Sequence, residues 1–142
     1  MTLVQAMRTD LPILRPDTSL GEAALRMDHA RAAMLAVVVD GRVAGSLSAL
    51  DLLQRVLTGG QNAGVATVGD AMVRNPLCCE PGSTLEQVRA LLRTHRQPSV
   101  LITEPDGQLV GLIDVFDVLA ALDAASAAGP EPDYVKRVRG ED

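Results

Sequence analysis

The chain repeats itself, and the repeat holds its register. Placing Ala6-Met7 on Ala71-Met72 sets an offset of 65 that carries Pro16 onto Pro81, Ser19 onto Thr84, Leu20 onto Leu85 and Arg31 onto Arg96. One residue is inserted in the second copy near Glu104-Pro105, and the offset becomes 66. Asp40-Gly41 then falls on Asp106-Gly107, Gly45 on Gly111, Asp51 on Asp117 and Leu53 on Leu119. One single-residue gap across two turns and a helix start means one supersecondary unit used twice. Between the copies, the run from Thr58 to Gly64 has the glycine-rich, polar composition of a flexible linker.

Each copy reads locally as β-α-β-β-α. A short strand, Pro12-Ile13-Leu14 or Leu77-Cys78-Cys79, runs into a turn at Pro16 or Pro81. A helix then opens on a capping pair, Ser19 with Glu22 or Thr84 with Gln87, whose side chains satisfy first-turn amides reciprocally. Apolar residues follow at helical spacing: Leu20, Ala23, Ala24 and Met27, or Leu85, Val88, Leu91 and Leu92. An apolar run, Met34 to Val39 or Val100 to Ile102, ends at an Asp-Gly pair, which predicts a hairpin because glycine tolerates positive φ. The second hairpin strand leads into a helix expected to start at Ser48 or Asp114. Three strands and two helices of this length cannot cover both faces of their own sheet. Two such units packed sheet to sheet can, so the expected fold is α/β (α+β), with two β-α-β-β-α units related by a pseudo-two-fold axis.

Composition narrows the chemistry. The 142 residues are 47% hydrophobic but contain one Phe, one Tyr and no Trp, so the core is aliphatic. The shortage of aromatic rings argues against single-stranded nucleic acid as a partner, and a net charge of −5 argues against duplex DNA. Cys78 and Cys79 are adjacent and have no other cysteine to pair with, which suits a reducing, cytoplasmic setting. No secretory leader is apparent at the start, and no apolar run approaches a membrane span. No phosphate-binding Gly-rich loop with a Lys, no Gly-x-Ser-x-Gly elbow and no His-Glu-x-x-His helix occurs, and the only histidines are His29 and His95. The expectation is therefore a non-enzyme with no resident metal.

The second copy carries a further pattern: Thr67-Val68-Gly69-Asp70-Ala71-Met72, Asn75-Pro76, Pro81, and Gly111-Leu112-Ile113-Asp114-Val115-Phe116-Asp117-Val118. This resembles a CBS domain. The family's closing signature is Gly, two apolar residues, Ser or Thr, two free positions, Asp and an apolar residue. The first copy carries it as Gly45-Ser46-Leu47-Ser48-Ala49-Leu50-Asp51-Leu52, with Ser46 at a usually apolar place. The second departs from it by having Asp114 where Ser or Thr is usual. The resemblance covers about residues 3 to 122. It suggests a CBS domain over 1–58, a linker over 59–66, a second CBS domain over 67–122, and a C-terminal helix end and tail over 123–142.

The resemblance implies a tandem pair, a regulatory module without catalysis, with two clefts between the copies. In many members these take adenosine-containing ligands such as AMP, ADP, ATP or S-adenosylmethionine, and the pairs commonly form homodimers. With no effector domain in view, the output is expected to act on a protein partner in trans. A structural dimerisation module without a ligand is the alternative.

The resemblance also nominates residues. Asp51 and Asp117 would hold a ribose. Ser48 and Asp114 open the adjoining helices, and Leu47 and Ile113 precede them. His95 and Arg96, with Arg31 at the matching first-copy position, resemble a His-Arg pair that some nucleotide-binding members set against phosphates; Ala30 replaces the His. Physical chemistry offers each a plainer role. Ser48 is a good N-cap and Asp51 a favourable first-turn acid, worth about 1 kcal/mol. Arg31 and Arg96 suit the C-terminal ends of helices as solvated cations, and a neutral surface His95 needs no function. A helix N-terminus favours phosphate, but Asp114 beside Asp117 adds negative charge there, so the two clefts are expected to differ. The Ser48–Asp51 cleft is the better phosphate site, and the Asp117 cleft suits adenosine or a sulfonium. Cys78-Cys79 reads as structural, and Met7, Met27, Met34 and Met72 as core fillers.

Overall fold

A computed structural model describes residues 1–58 and 64–125. The elements in order are α1 (Leu3–Ala6), α2 (Leu20–Ala30), β1 (Met34–Val39), β2 (Arg42–Ser48), α3 (Ala49–Thr58), α4 (Val68–Ala71), β3 (Cys78–Cys79), α5 (Leu85–His95), β4 (Ser99–Thr103), β5 (Leu109–Asp114) and α6 (Val115–Ala125). The expected tail over 126–142 and most of the linker lie outside the described residues.

The duplication is visible at every level. The expected reciprocal cap forms in full only in the second copy, between Thr84 and Gln87; Ser19 caps α2 by accepting from the Glu22 amide, but the Glu22 carboxylate accepts from Arg26 instead of the Ser19 amide. Both helices end on an arginine in the left-handed conformation, Arg31 (φ 52) and Arg96 (φ 52), which turns the chain into the next strand. The hairpins β1–β2 and β4–β5 are antiparallel, and each carries a bulge at the same repeat position, next to Ala44 and next to Val110.

Two local expectations are revised. The first strand of the first copy reduces to a single parallel bridge, Leu14 to Val37, whereas its counterpart β3 pairs with β4 over two residues. The Asp-Gly turns also differ. Asp40 and Gly41 both have positive φ, the geometry of a two-residue hairpin loop. In the second copy only Gly107 does, and the Gly107 amide closes the turn on Glu104 O. The inserted residue lengthens that loop.

The opening segments of the two copies are exchanged. Helix α1 packs on α6 of the second copy, and Leu3 lies in that copy's core with Val88, Val100 and Ile113. Helix α4 packs on α3 of the first copy, and Val68 and Ala66 lie in its core with Leu20, Leu35 and Leu47. Beyond each helix the chain adds one rung to the other copy's sheet: Arg8 pairs with Leu112, and Val73 pairs with Ser46. A third cluster, Ala36, Val38, Leu101 and Leu112, is where the sheets meet, as the argument from uncovered sheet faces required. The hairpin tips also touch, the Val43 amide donating to Gly107 O at 2.9 Å.

Gly45 and Gly111 are explained by this exchange. A Cβ on Gly45 would lie 2.5 Å from Val73 O and 3.1 Å from Met72 Sδ. On Gly111 it would lie 2.8 Å from Arg8 O and 3.0 Å from Met7 Sδ. The opening glycine of each closing signature is therefore a packing requirement: only a residue without a side chain lets the crossing strand approach.

Candidate functional site

Each closing signature delivers its polar residues to the point where a strand becomes a helix. Ser48 and Asp114 are the last strand residues, one position before the helices they were expected to begin. They act as N-caps. The Asp51 amide donates to Ser48 Oγ at 3.0 Å, and the Ser48 amide donates to Asp51 Oδ2 at 2.9 Å. The second copy repeats this with aspartates only: the Asp117 amide donates to Asp114 Oδ1 at 2.8 Å, and the Asp114 amide donates to Asp117 Oδ2 at 3.1 Å. The capping role is thus realised in both copies, with Asp doing the work that Glu or Gln performs in the usual reciprocal cap.

The cost of the second arrangement falls on Asp117. Burial, together with the Asp114 carboxylate beside it, pushes its carboxyl above the ordinary value; the Asp114 amide and the Arg8 guanidinium pull the other way.

The remaining nominated residues fall into two groups. Leu47 and Ile113 are wholly buried, each in its own copy's core, which leaves only main-chain atoms to offer a ligand. Arg31, His95 and Arg96 are exposed at the ends of α2 and α5.

Arg8 joins these pieces and was not nominated by the sequence. Its backbone sits on β5, exchanging two bonds with Leu112 at 2.8 and 2.9 Å. Its guanidinium reaches the opposite copy, where Nη2 donates to Ala30 O at 2.9 Å and Nη1 to Arg31 O at 3.3 Å. The C-terminal end of α2 is thereby held near the start of α6, with Arg8 close enough to influence Asp117. No motif marks Arg8. The available signal was a mismatch, since the repeat sets Arg8 opposite Val73.

Beside Arg8 a cavity of about 140 Å³ opens between the copies. Leu11, Pro12 and Ala36 line it from the first copy, and Leu101 and Leu112 from the second. Its side chains are mostly aliphatic, with Thr9 and main-chain atoms adding polar surface and Arg8 as its one charged member. A larger groove of about 580 Å³ lies outside the same segment, along α2. There Arg26 is engaged by Glu22 at 3.3 Å and by Ile13 O at 3.1 Å.

The cysteines divide as strand geometry demands: Cys79 faces the core and Cys78 is exposed. Burial pushes the Cys79 thiol up, which disfavours the thiolate that metal binding or redox chemistry needs. Among the described residues no group of His, Cys, Asp and Glu is placed to hold a metal ion. None of the described helices is long and apolar enough to cross a membrane.

These features define a tandem α+β pair. The family model of the CBS domain matches the chain twice, over residues 3–58 and 68–124, and the chain belongs to the CBS domain family. Among solved structures it is similar to a CBS-domain containing protein from Agrobacterium tumefaciens, at 28% identity over 85% of this chain and 98% of that one, with a TM-score of 0.76. It is similar to CBSX2 in complex with AMP, at 26% identity over 87% and 98% of the two chains, with a TM-score of 0.73. A conserved protein from Pyrococcus horikoshii is 29% identical over 84% and 90%, with a TM-score of 0.76. Among curated proteins none matches the chain. Pairs of this family are typically regulatory modules, and no enzyme family is indicated.

Proposed function

We propose that this CBS pair senses an adenosine-containing ligand, AMP, ADP, ATP or S-adenosylmethionine, in the clefts between its copies, and acts on a protein partner in trans without catalysis. The observation that carries the reading is the aliphatic slot between the sheets, which shares Arg8 with the surroundings of Asp117. In this reading a purine lies between Pro12, Ala36, Leu101 and Leu112, and Asp117, whose Oδ1 is the oxygen not used by the Asp114 amide, takes the ribose. That a similar protein, CBSX2, has been solved in complex with AMP supports the ligand class.

The two clefts differ in charge. Asp114 and Asp117 crowd two carboxylates at one helix start, with Arg8 beside them and Arg31 at the end of α2 that Arg8 holds. That cleft suits adenosine or a cationic sulfonium. By the repeat, the cleft of Ser48 and Asp51 faces the end of α5, with His95 and Arg96. An uncharged cap and the Arg96 guanidinium, with the His95 imidazole as a further donor, make it the better place for a phosphate.

The chain also pairs with a second copy of itself. Leu50, Leu53 and Leu57 on α3, and Phe116 and Leu119 on α6, are exposed apolar side chains. Leu50 and Phe116 are repeat equivalents, as are Leu53 and Leu119, so the two helices present a quasi-symmetric apolar face suited to an isologous contact. The unpaired thiols suit a cytoplasmic protein.

A second reading, a dimerisation module without a ligand, is favoured by one observation: the two aspartates already have a structural task in their caps. A thermal-shift screen against AMP, ADP, ATP, GTP, S-adenosylmethionine and NADH separates the readings. A ligand present at 100 times its dissociation constant adds about 2.7 kcal/mol of stability. A shift with an adenosine compound supports the sensor, and no shift with any compound establishes the module without a ligand.

A further inference from the structure

We propose that Arg8 is a strap across the Asp117 cleft with no counterpart across the Asp51 cleft, so that the pair is held shut on one side and opens on the other. Arg8 is anchored at both ends. Its amide and carbonyl are bonded to Leu112 in the second copy, and its guanidinium is bonded to Ala30 O and Arg31 O in the first. The copies cannot separate at this cleft without breaking one set of bonds or the other. The carbonyls it holds are among those a helix leaves unpaired at its C-terminal end, and the donor is charged.

The repeat supplies the internal control. Val73 is anchored to Ser46 by the same two backbone bonds, at 2.8 and 2.9 Å, but its side chain has no donor. Among the described residues, none donates to His95 O or Arg96 O. The two helix ends are otherwise alike. The Arg31 amide bonds to Asp28 O and Met27 O, and the Ala32 amide to Met27 O at 3.1 Å. The Arg96 amide bonds to Arg93 O and Leu92 O, and the Gln97 amide to Leu92 O at 3.0 Å. A difference in mobility between these ends therefore reports on Arg8 and on little else.

The strap itself needs no ligand. Its consequence for signalling, that filling the Asp51 cleft changes the angle between the copies while filling the Asp117 cleft does not, rests on the sensor reading above.

The test is NMR-detected hydrogen exchange on the full, ligand-free chain, comparing wild type with Arg8→Met, Arg8→Lys and Val73→Met. In the wild type the amides of Arg31 and Ala32 are expected to be protected about tenfold more than those of Arg96 and Gln97, the factor that 1.4 kcal/mol of local protection gives. The amides of Arg8 and Leu112 should likewise exceed those of Val73 and Ser46. Arg8→Met keeps the aliphatic stem and should erase both differences while leaving β1 and β4 unchanged. Arg8→Lys, with a donor but no fork, should restore part of them, and Val73→Met should change neither. Equal protection of the two ends in the wild type overturns the strap, as does a difference that survives Arg8→Met. Titration with AMP, ADP, ATP and S-adenosylmethionine keeps the two ideas apart: a chain that binds none of them but shows one-sided protection retains the strap and loses the sensor.

Discussion

Replacing Gly45 by alanine tests the exchanged architecture at its tightest point. The new methyl would lie 2.5 Å from Val73 O, a backbone atom with no freedom to rotate away. Either the core overpacks, at about 1–3 kcal/mol, or the crossing strand lifts and forfeits the two Ser46–Val73 bonds, at about 0.5–1.5 kcal/mol each. With both contributing, the loss is about 2–6 kcal/mol. For a chain of this size that is a fall in melting temperature of roughly 6–18 °C. Gly111→Ala meets Arg8 O at 2.8 Å and should behave in the same way. Gly82→Ala is the control, because no heavy atom lies within 4 Å of its added Cβ. Thermal and urea unfolding give the magnitudes, and hydrogen exchange at Val73 and Ser46 locates the damage. A Gly45→Ala chain that melts with Gly82→Ala would show that the opening segments are not exchanged as described.

Further outcomes follow from the caps and charges. Ser48→Ala should lose about 0.5–2 kcal/mol in urea unfolding, because the first turn of α3 loses its acceptor. Asp117→Asn should melt higher than wild type at neutral pH. The folded pKa is raised, so the wild type is favoured at low pH and loses that advantage as pH rises through the folded value; below the ordinary 3.8 the two chains should converge. Asp70 has the opposite sign. The amide and hydroxyl of Thr67 hold its carboxyl below the ordinary value, so the stability that Asp70→Asn removes is present at neutral pH and absent in strong acid. Leu50→Glu with Phe116→Glu should convert the proposed dimer to a monomer in sedimentation while leaving the melting curve cooperative, since both side chains are more than half exposed.

The scaffold was legible because the chain spells it twice, once in each copy. The caps at Ser19 and Thr84, the apolar spacing of α2 and α5, and the Asp-Gly pairs are local signals, and local chemistry realised them. The exchange of α1 and α4 was not legible. Leu3 and Val68 look the same whichever core they enter, and only the close approach at Gly45 and Gly111 records the choice. The site was half legible. Ser48, Asp51, Asp114 and Asp117 stand out as a motif, and the second carboxylate foretold crowding at the start of α6. Arg8 did not stand out, because its importance lies in reaching carbonyls 22 and 23 residues away. The first strand was overestimated from Pro12-Ile13-Leu14, since proline offers no amide to a ladder and one bridge is what remains.

The central claim is that the pair binds an adenosine ligand through two unlike clefts. Calorimetric titration of AMP into the wild type, Asp51→Ala and Asp117→Ala addresses it directly, with unfolding curves confirming that each chain is folded. The account predicts that Asp51→Ala costs AMP most of its affinity while Asp117→Ala costs it much less. Equal losses from the two substitutions would contradict the inequality of the clefts, and a wild type that binds none of AMP, ADP, ATP and S-adenosylmethionine would contradict the claim itself.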